Sequence, residues 1–258
     1  MTESNERIER EQEFHDLRYT DDSERKQKVG KFYSITSSIY QAYEQKLFDS
    51  SKSSKVIEYG CGTGSYAFKL AQSQAELVTG IDISPIAIET ARQQAAEETQ
   101  NLDFQVMNAE NLQFEPDSYD LICGSGILHH LDLGSATESI KRVLKPSGKA
   151  VFVEPLGHNF AIELYRRLTP NIRSQDEHPL LETDLQAIKS NFKKSRIRYF
   201  YLTSLISTLI AGKPGFKTLL YCCELLDSVL LKLPGIRQQA WMVLIELEQP
   251  INDQKQSI

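Results

Sequence analysis

The chain has 258 residues, enough for one large domain or two small ones. Its 40% hydrophobic and 25% charged content excludes a disordered chain and supports a sizeable core. With 29 Lys and Arg against 35 Asp and Glu, a formal charge of -6, it is poorly suited to gripping nucleic-acid phosphates. Cys61, Cys123, Cys222 and Cys223 form no CxxC pair, so neither a disulfide framework nor a metal site is expected. The opening MTESNERIEREQEF lacks the apolar core of a secretory signal. The longest apolar-rich run, Tyr199 to Gly212, falls short of the ~20 residues of a membrane-spanning helix. A cytoplasmic protein is the expectation.

In chain order, residues 1 to 30 are dense in charge and read as a frayed arm or solvated helix. Phe32, Tyr33, Ile35, Ile39, Tyr40, Tyr43, Leu47 and Phe48 recur at helical spacing and predict one or two amphipathic helices. SSKSS (50–54) is a loop, Lys55–Tyr59 a buried strand, and Ser65–Gln72 a helix. Leu77–Ile83 is a second strand. Ser84-Pro85 supplies an N-cap and a first-turn proline for a helix reaching Glu98. Phe104–Met107 and Tyr119–Cys123 are further strands, with a turn at EPDS (115–118). A helix over Ala136–Leu144 and a turn at KPSG (145–148) lead into a fifth strand, Ala150–Glu154. Thr183 to Gln186 matches a capping box. Arg196–Leu202 and Trp241–Leu247 complete seven strands. The leucine-rich stretch between them, broken by KPG (213–215) and LPG (233–235), forms two short helices. Strand–helix alternation of this kind builds an α/β, doubly wound, mostly parallel sheet.

The sharpest signal is Glu58-Tyr59-Gly60-Cys61-Gly62-Thr63-Gly64, directly after a predicted strand and opening a helix. Ligands of open α/β sheets bind beyond the carboxyl ends of the strands. Glycines there let the backbone turn sharply and come close to a ligand. A plain βα turn is the competing reading. A dinucleotide loop reads GxGxxG, whereas here the third glycine comes one place early. Glu58 sets a carboxylate where it would oppose a diphosphate and suit a cationic ligand.

EYGCGTG (58–64) resembles the first motif of class I S-adenosylmethionine-dependent methyltransferases. The resemblance runs from about Val56 to Glu154 through GIDIS (80–84), NAENLQF (108–114), YDLICGSGILHHL (119–131) and RVLKPSGKAVFVEP (142–155). It implies strand order 3-2-1-4-5-7-6 with the last strand antiparallel. It also implies that S-adenosylmethionine is the cofactor. Gly60, Gly62 and Gly64 would lie beneath its methionine part, and Glu58 would help hold the amino group. Asp82 would accept from both ribose hydroxyls, with Ile83 beside it. Asn108, Ala109 and Glu110 would border the adenine, Asn108 standing where many relatives carry Asp. Ser125 would line the methyl-donor site. Tyr33, in the N-terminal segment that often lids the cofactor in this family, offers a ring to the sulfonium.

Methyl transfer is an in-line displacement in which the protein supplies position and electrostatics. If the acceptor must lose a proton, His129 and His130 are the closest candidates for general base, against a packing role for both. Glu154 either orients a substrate or caps the next helix. Residues 1–48 are expected to be an arm and lid. Residues 49–258 would then form the catalytic domain, with substrate-side inserts near 155–195 and 203–238. The leucine-rich insert leaves open core completion, an apolar or membrane contact, or an oligomer interface. A basic cluster, Lys189, Lys193, Lys194, Arg196 and Arg198, reads as a solvated face or a contact for an anion. The expected activity is methylation of a small, apolar or lipid-like acceptor, without nucleic acid. The alternatives are a non-catalytic cofactor-binding module and a nucleotide-dependent oxidoreductase.

Overall fold

A computed structural model of the chain describes residues 3–95 and 100–251. Its sheet comprises β1 Lys55–Tyr59, β2 Leu77–Asp82, β3 Leu102–Val106, β4 Tyr119–Ser125, β5 Leu144–Pro155, β6 Phe192–Phe200 and β7 Met242–Pro250. The order is β3-β2-β1-β4-β5-β7-β6. β7 alone runs antiparallel, paired between β5 and β6. Both the order and the reversed last strand match expectation. Val56–Tyr59 is buried at every position, as a central parallel strand covered on both faces must be.

Helices α1 Glu3–Thr20, α2 Ser23–Tyr33 and α3 Ser37–Ser51 precede the sheet. α4 Ala67–Gln72, α5 Pro85–Gln94, α6 Leu133–Val143, α7 Phe160–Leu168, α8 Glu182–Lys189 and α9 Phe216–Leu230 alternate with or follow the strands. Two apolar layers form, one on each face of the sheet. One gathers Ile57, Ile81, Ile122, Phe152 and Ile245, and the other Ile39, Tyr43, Val56, Leu121 and Leu244. The Ser84 hydroxyl caps α5, accepting from the Ala87 amide at 3.1 Å.

Four expectations change. Of the two readings of the charged arm the helix is met, as α1, but it is packed and not simply solvated, because its polar side chains find partners such as Glu110, His130 and Ser174. The helix expected to reach Glu98 ends at Gln94, and residues 96–99 lie outside the described residues. The capping box shifts: α8 begins at Glu182, and the Leu181 amide donates to Asp184 at 2.8 Å. KPSG lies within β5, beside a register shift against β4. The basic cluster sits largely on β6, where exposed Lys193, Lys194 and Arg196 charge a sheet edge that would otherwise invite strand pairing.

Candidate active site

The site lies at the carboxyl ends of β1, β2 and β4, where the strand order reverses between β1 and β4. Between β1 and α4, Gly60, Gly62 and Gly64 take φ of +60°, +54° and +96°. Side chains rarely adopt that region, so the loop needs these glycines. At Gly62 a Cβ would also run into the Tyr19 ring.

The Gly62 amide donates to Asp82 Oδ2 at 2.8 Å, and the Ser84 amide donates to Oδ1 at 2.9 Å. Asp82 is therefore clamped at the end of β2, each oxygen keeping acceptor capacity for a ligand. Burial raises its pKa against the pull of those two amides. Glu58 is engaged with its own chain. It accepts from the Ser65 hydroxyl at 2.7 Å, the Tyr66 amide at 3.0 Å and the Ala67 amide at 2.6 Å. Burial pushes its carboxyl up to about 7. Glu58 thus ties the glycine loop to the start of α4.

A cleft of about 40 Å³ is lined by Gly60, Asp82, Ile83, Asn108, Ala109 and Glu110. Asn108 Oδ1 accepts from the Glu110 amide at 2.9 Å, which turns the chain after β3. The outer wall is α1, through Arg7, Ile8 and Glu11. Arg7 donates to Glu110 and, at 3.0 Å, to the His130 carbonyl. Glu11 is 4% exposed, accepts from the Ser174 hydroxyl and lies 3.0 Å from His130 Nδ1. Burial opposes the Glu11 charge. Contacts from His130, His15 and Ser174 overcome that and hold its pKa far below the ordinary value. Asp16 accepts from the Ser84 hydroxyl. Sequence reasoning missed these residues. A signal was available, because Arg7, Glu11, His15 and Tyr19 fall four apart, on one face of a helix.

A larger cavity, about 230 Å³, opens beyond β4 and β5. Tyr33, Ser125, His129 and His130 all line it. Ser125 Oγ donates to the Tyr40 hydroxyl at 3.3 Å. Glu154, fully buried on β5, accepts from the Ile127 and Leu128 amides at 2.9 and 2.8 Å. Its Oε2 lies 2.7 Å from His129 Nδ1. Glu154 does not cap the next helix, α7, whose N-cap is Asn159; it fixes the turn after β4 and sets the His129 ring. Burial raises its carboxyl to about 7 and pushes the His129 imidazole well below its usual value.

Among the described residues two trios, Glu11–His15–His130 and His129–His130–Glu177, bring possible ligand atoms within 4.8 Å. Glu177 is already paired with Arg166 and Arg173, and Glu11 with Ser174. Neither trio is assigned a metal.

The chain is similar to known proteins. Residues 56–148 match the methyltransferase domain family. Demethylmenaquinone methyltransferase of Chlorobaculum tepidum is 28% identical over 184 residues, 67% of this chain and 69% of that protein. A ubiquinone biosynthesis O-methyltransferase of Coxiella burnetii is 30% identical over 115 residues, 44% of this chain and 48% of that one. Among solved structures, phosphoethanolamine N-methyltransferase 2 of Haemonchus contortus, in complex with S-adenosylhomocysteine, superposes with TM-score 0.63 at 17% identity. It covers 93% of this chain, which spans 60% of that protein. Geranyl diphosphate C-methyltransferase of Streptomyces coelicolor gives TM-score 0.60 at 15% identity, covering 81% of this chain and 78% of that one. At such identities these two establish the shared fold.

Proposed function

This chain is a class I S-adenosylmethionine-dependent methyltransferase acting on a small molecule, and on that premise we propose that its acceptor is a largely apolar compound methylated in the 230 Å³ cavity, with His129 as general base. The observation that carries this reading is the His129–Glu154 contact on the wall of that cavity, next to Ser125.

The cofactor supplies a methyl group already activated on a sulfonium. The residues present fit it. Asp82 has acceptor capacity for the ribose hydroxyls, and the glycines hold the loop in a positive-φ turn at the strand end, where side chains would be strained. Ile83, Asn108, Ala109 and Glu110 would border the adenine, and Glu58 would act mainly by holding the loop. Residues 1–48 serve as lid in this reading. α1 walls the nucleoside cleft through Arg7 and Glu11, and its outward movement would open that cleft to a nucleoside.

Glu154, when ionised, accepts from His129 Nδ1–H and leaves Nε2 as the acceptor. The ring can then take a proton from an acceptor hydroxyl as the methyl group arrives. Tyr33 and Ser125 border the same space and help exclude water. Titration calorimetry with S-adenosylhomocysteine tests the cofactor half. Micromolar binding is expected, and no heat at millimolar ligand would overturn it.

The insert at 203–238 favours contact with a lipid surface. Ile206, Leu209, Tyr221, Leu225, Leu226 and Val229 are each at least half exposed. The exposed charges beside them are Lys213, Lys217 and Lys232. Asp227 is turned inward, accepting from the Leu202 and Thr203 amides at 3.0 and 2.7 Å. An apolar face rimmed by cations matches an anionic bilayer, although the protein as a whole is acidic. No helix among the described residues is long and apolar enough to cross a membrane. The protein should co-sediment with phosphatidylglycerol vesicles and not with phosphatidylcholine ones. Leu225→Glu with Val229→Glu should release it. Loss of a dimer in those variants, without vesicle binding by the wild type, would assign the face to a second copy instead.

A further inference from the structure

The cavity beyond β4 has a charge that methyl transfer does not require. Four guanidiniums, Arg18, Arg25, Arg166 and Arg173, line it against one carboxylate, Glu177. Arg18 lies 3.7 Å from Asp22, and Arg25 donates to the Tyr33 hydroxyl at 3.2 Å. The other two converge deeper in the insert. Arg166 Nη2 and Arg173 Nη1 reach the same oxygen, Glu177 Oε1, at 2.6 and 3.2 Å. Arg166 also has Glu163 at 3.4 Å. Arg173 has no second carboxylate among the described residues, and its Nε is buried without a hydrogen-bond partner. A guanidinium presents five donors in a rigid fork suited to a two-oxygen anion. Here part of that fork is spent on half of one shared carboxylate.

Part of the cavity wall is aromatic. Phe32 packs against Tyr165 with ring centroids 4.8 Å apart and planes tilted by 48°, and meets Trp241 edge-on at 5.8 Å, and all three rings border the cavity. A flat ring would find faces to pack against, and an anion on its rim would find Arg173. Burial disfavours the Glu177 charge. The facing guanidiniums of Arg166 and Arg173 help to outweigh that and hold its pKa below the ordinary value, so it does not vacate the site by protonation.

We infer that the methyl acceptor is a planar, mostly apolar molecule bearing one carboxylate-like anion, which Arg173 receives beside the Arg166–Glu177 pair while the ring packs on Phe32, Tyr165 and Trp241. The inference rests on the methyl-transfer reading for the identity of the ligand as acceptor, and on the cavity alone for its chemistry.

Trp241 is the sole tryptophan of the chain and lines the cavity, so its fluorescence reports occupancy. With S-adenosylhomocysteine present, 4-hydroxybenzoate should quench it at roughly tenfold lower concentration than the neutral 4-hydroxybenzamide. Arg173→Gln should bring the two within about twofold while the amide binds as before. Arg173→Lys, which keeps the charge without the fork, should retain part of the preference. Equal affinity for acid and amide in the wild type, or an undiminished preference in Arg173→Gln, would overturn the inference. So would a loss of S-adenosylhomocysteine affinity in Arg173→Gln, which would assign the guanidinium to the cofactor's own carboxylate. Failure of the wild type to bind S-adenosylhomocysteine, read separately by calorimetry, counts against the methyl-transfer reading and leaves the acid–amide comparison to decide the cavity.

Discussion

Asp82→Asn should weaken S-adenosylhomocysteine binding by roughly a hundredfold, about 2.7 kcal/mol, while moving the melting temperature of the free protein by only a few degrees. The asymmetry follows from where the charge sits. Burial raises the Asp82 pKa, so the free protein holds this carboxylate at a cost, offset by the Gly62 and Ser84 amides at 2.8 and 2.9 Å. Asparagine removes the charge and keeps one acceptor oxygen. Its amide nitrogen then faces one of two N–H donors, a loss of about 1 kcal/mol that removal of the buried charge partly offsets. Ligand binding has no such compensation. Two ribose hydroxyls would meet one acceptor oxygen where both carboxylate oxygens had each kept a free lone-pair site, and each lost bond to a charged group costs roughly 1.5–3 kcal/mol. Calorimetry and a thermal melt on the same sample separate the two effects. Affinity within threefold of wild type would remove Asp82 from the cofactor site. A collapse of the fold would assign it a purely structural role.

Asp82 and the glycine loop could be read from the chain because their chemistry is local. A strand end, a tight turn with positive φ and a carboxylate at the next strand end leave residue types at fixed spacings. The sheet order came with the same motifs. α1 was not legible in that way. Its inward face is Arg7, Glu11, His15 and Tyr19, polar residues whose burial depends on partners more than a hundred positions away, such as Glu110, His130 and Ser174. Apolar periodicity, the usual sign of a packed helix, is missing there. Glu58 illustrates a different gap. Its position near the loop was apparent, but the Tyr66 and Ala67 amides that it accepts from at 3.0 and 2.6 Å belong to the helix it opens. The Arg166–Glu177–Arg173 group lies in the insert after β5 and Trp241 directly precedes β7, and the pairing of β5 with β7 brings them to one cavity.

His129→Ala should lower kcat by about 10² to 10⁴ with little change in KM for S-adenosylmethionine, the signature of a lost proton acceptor. Glu154→Gln should fall nearly as far, for a reason specific to this geometry. The glutamine oxygen can still accept from the Ile127 and Leu128 amides, which turns its NH2 toward His129 Nδ1. Nδ1 would then accept, the ring proton would move to Nε2, and the base would be blocked in place. The same logic sets the pH profile. Burial holds the Glu154 carboxyl at about 7, and below that pH it is protonated and donates to Nδ1. The wild-type kcat should therefore rise as pH rises through about 7, and the limb should vanish, at a low rate, in Glu154→Gln. Charges facing the pair are His130, Glu177, Arg166 and His178 toward His129, and His130 toward Glu154. His130 faces both groups, so His130→Asn is the control and should leave the limb in place. Stability should move the opposite way. A carboxyl raised from 4.5 to about 7 favours the fold below 4.5, and that contribution is lost as pH climbs through 7. Glu154→Gln should accordingly gain on the wild type in melting temperature between pH 5 and about 8. Parallel melting curves across that range, with an unchanged kcat limb, would show that Glu154 serves packing alone and that His129 takes no proton.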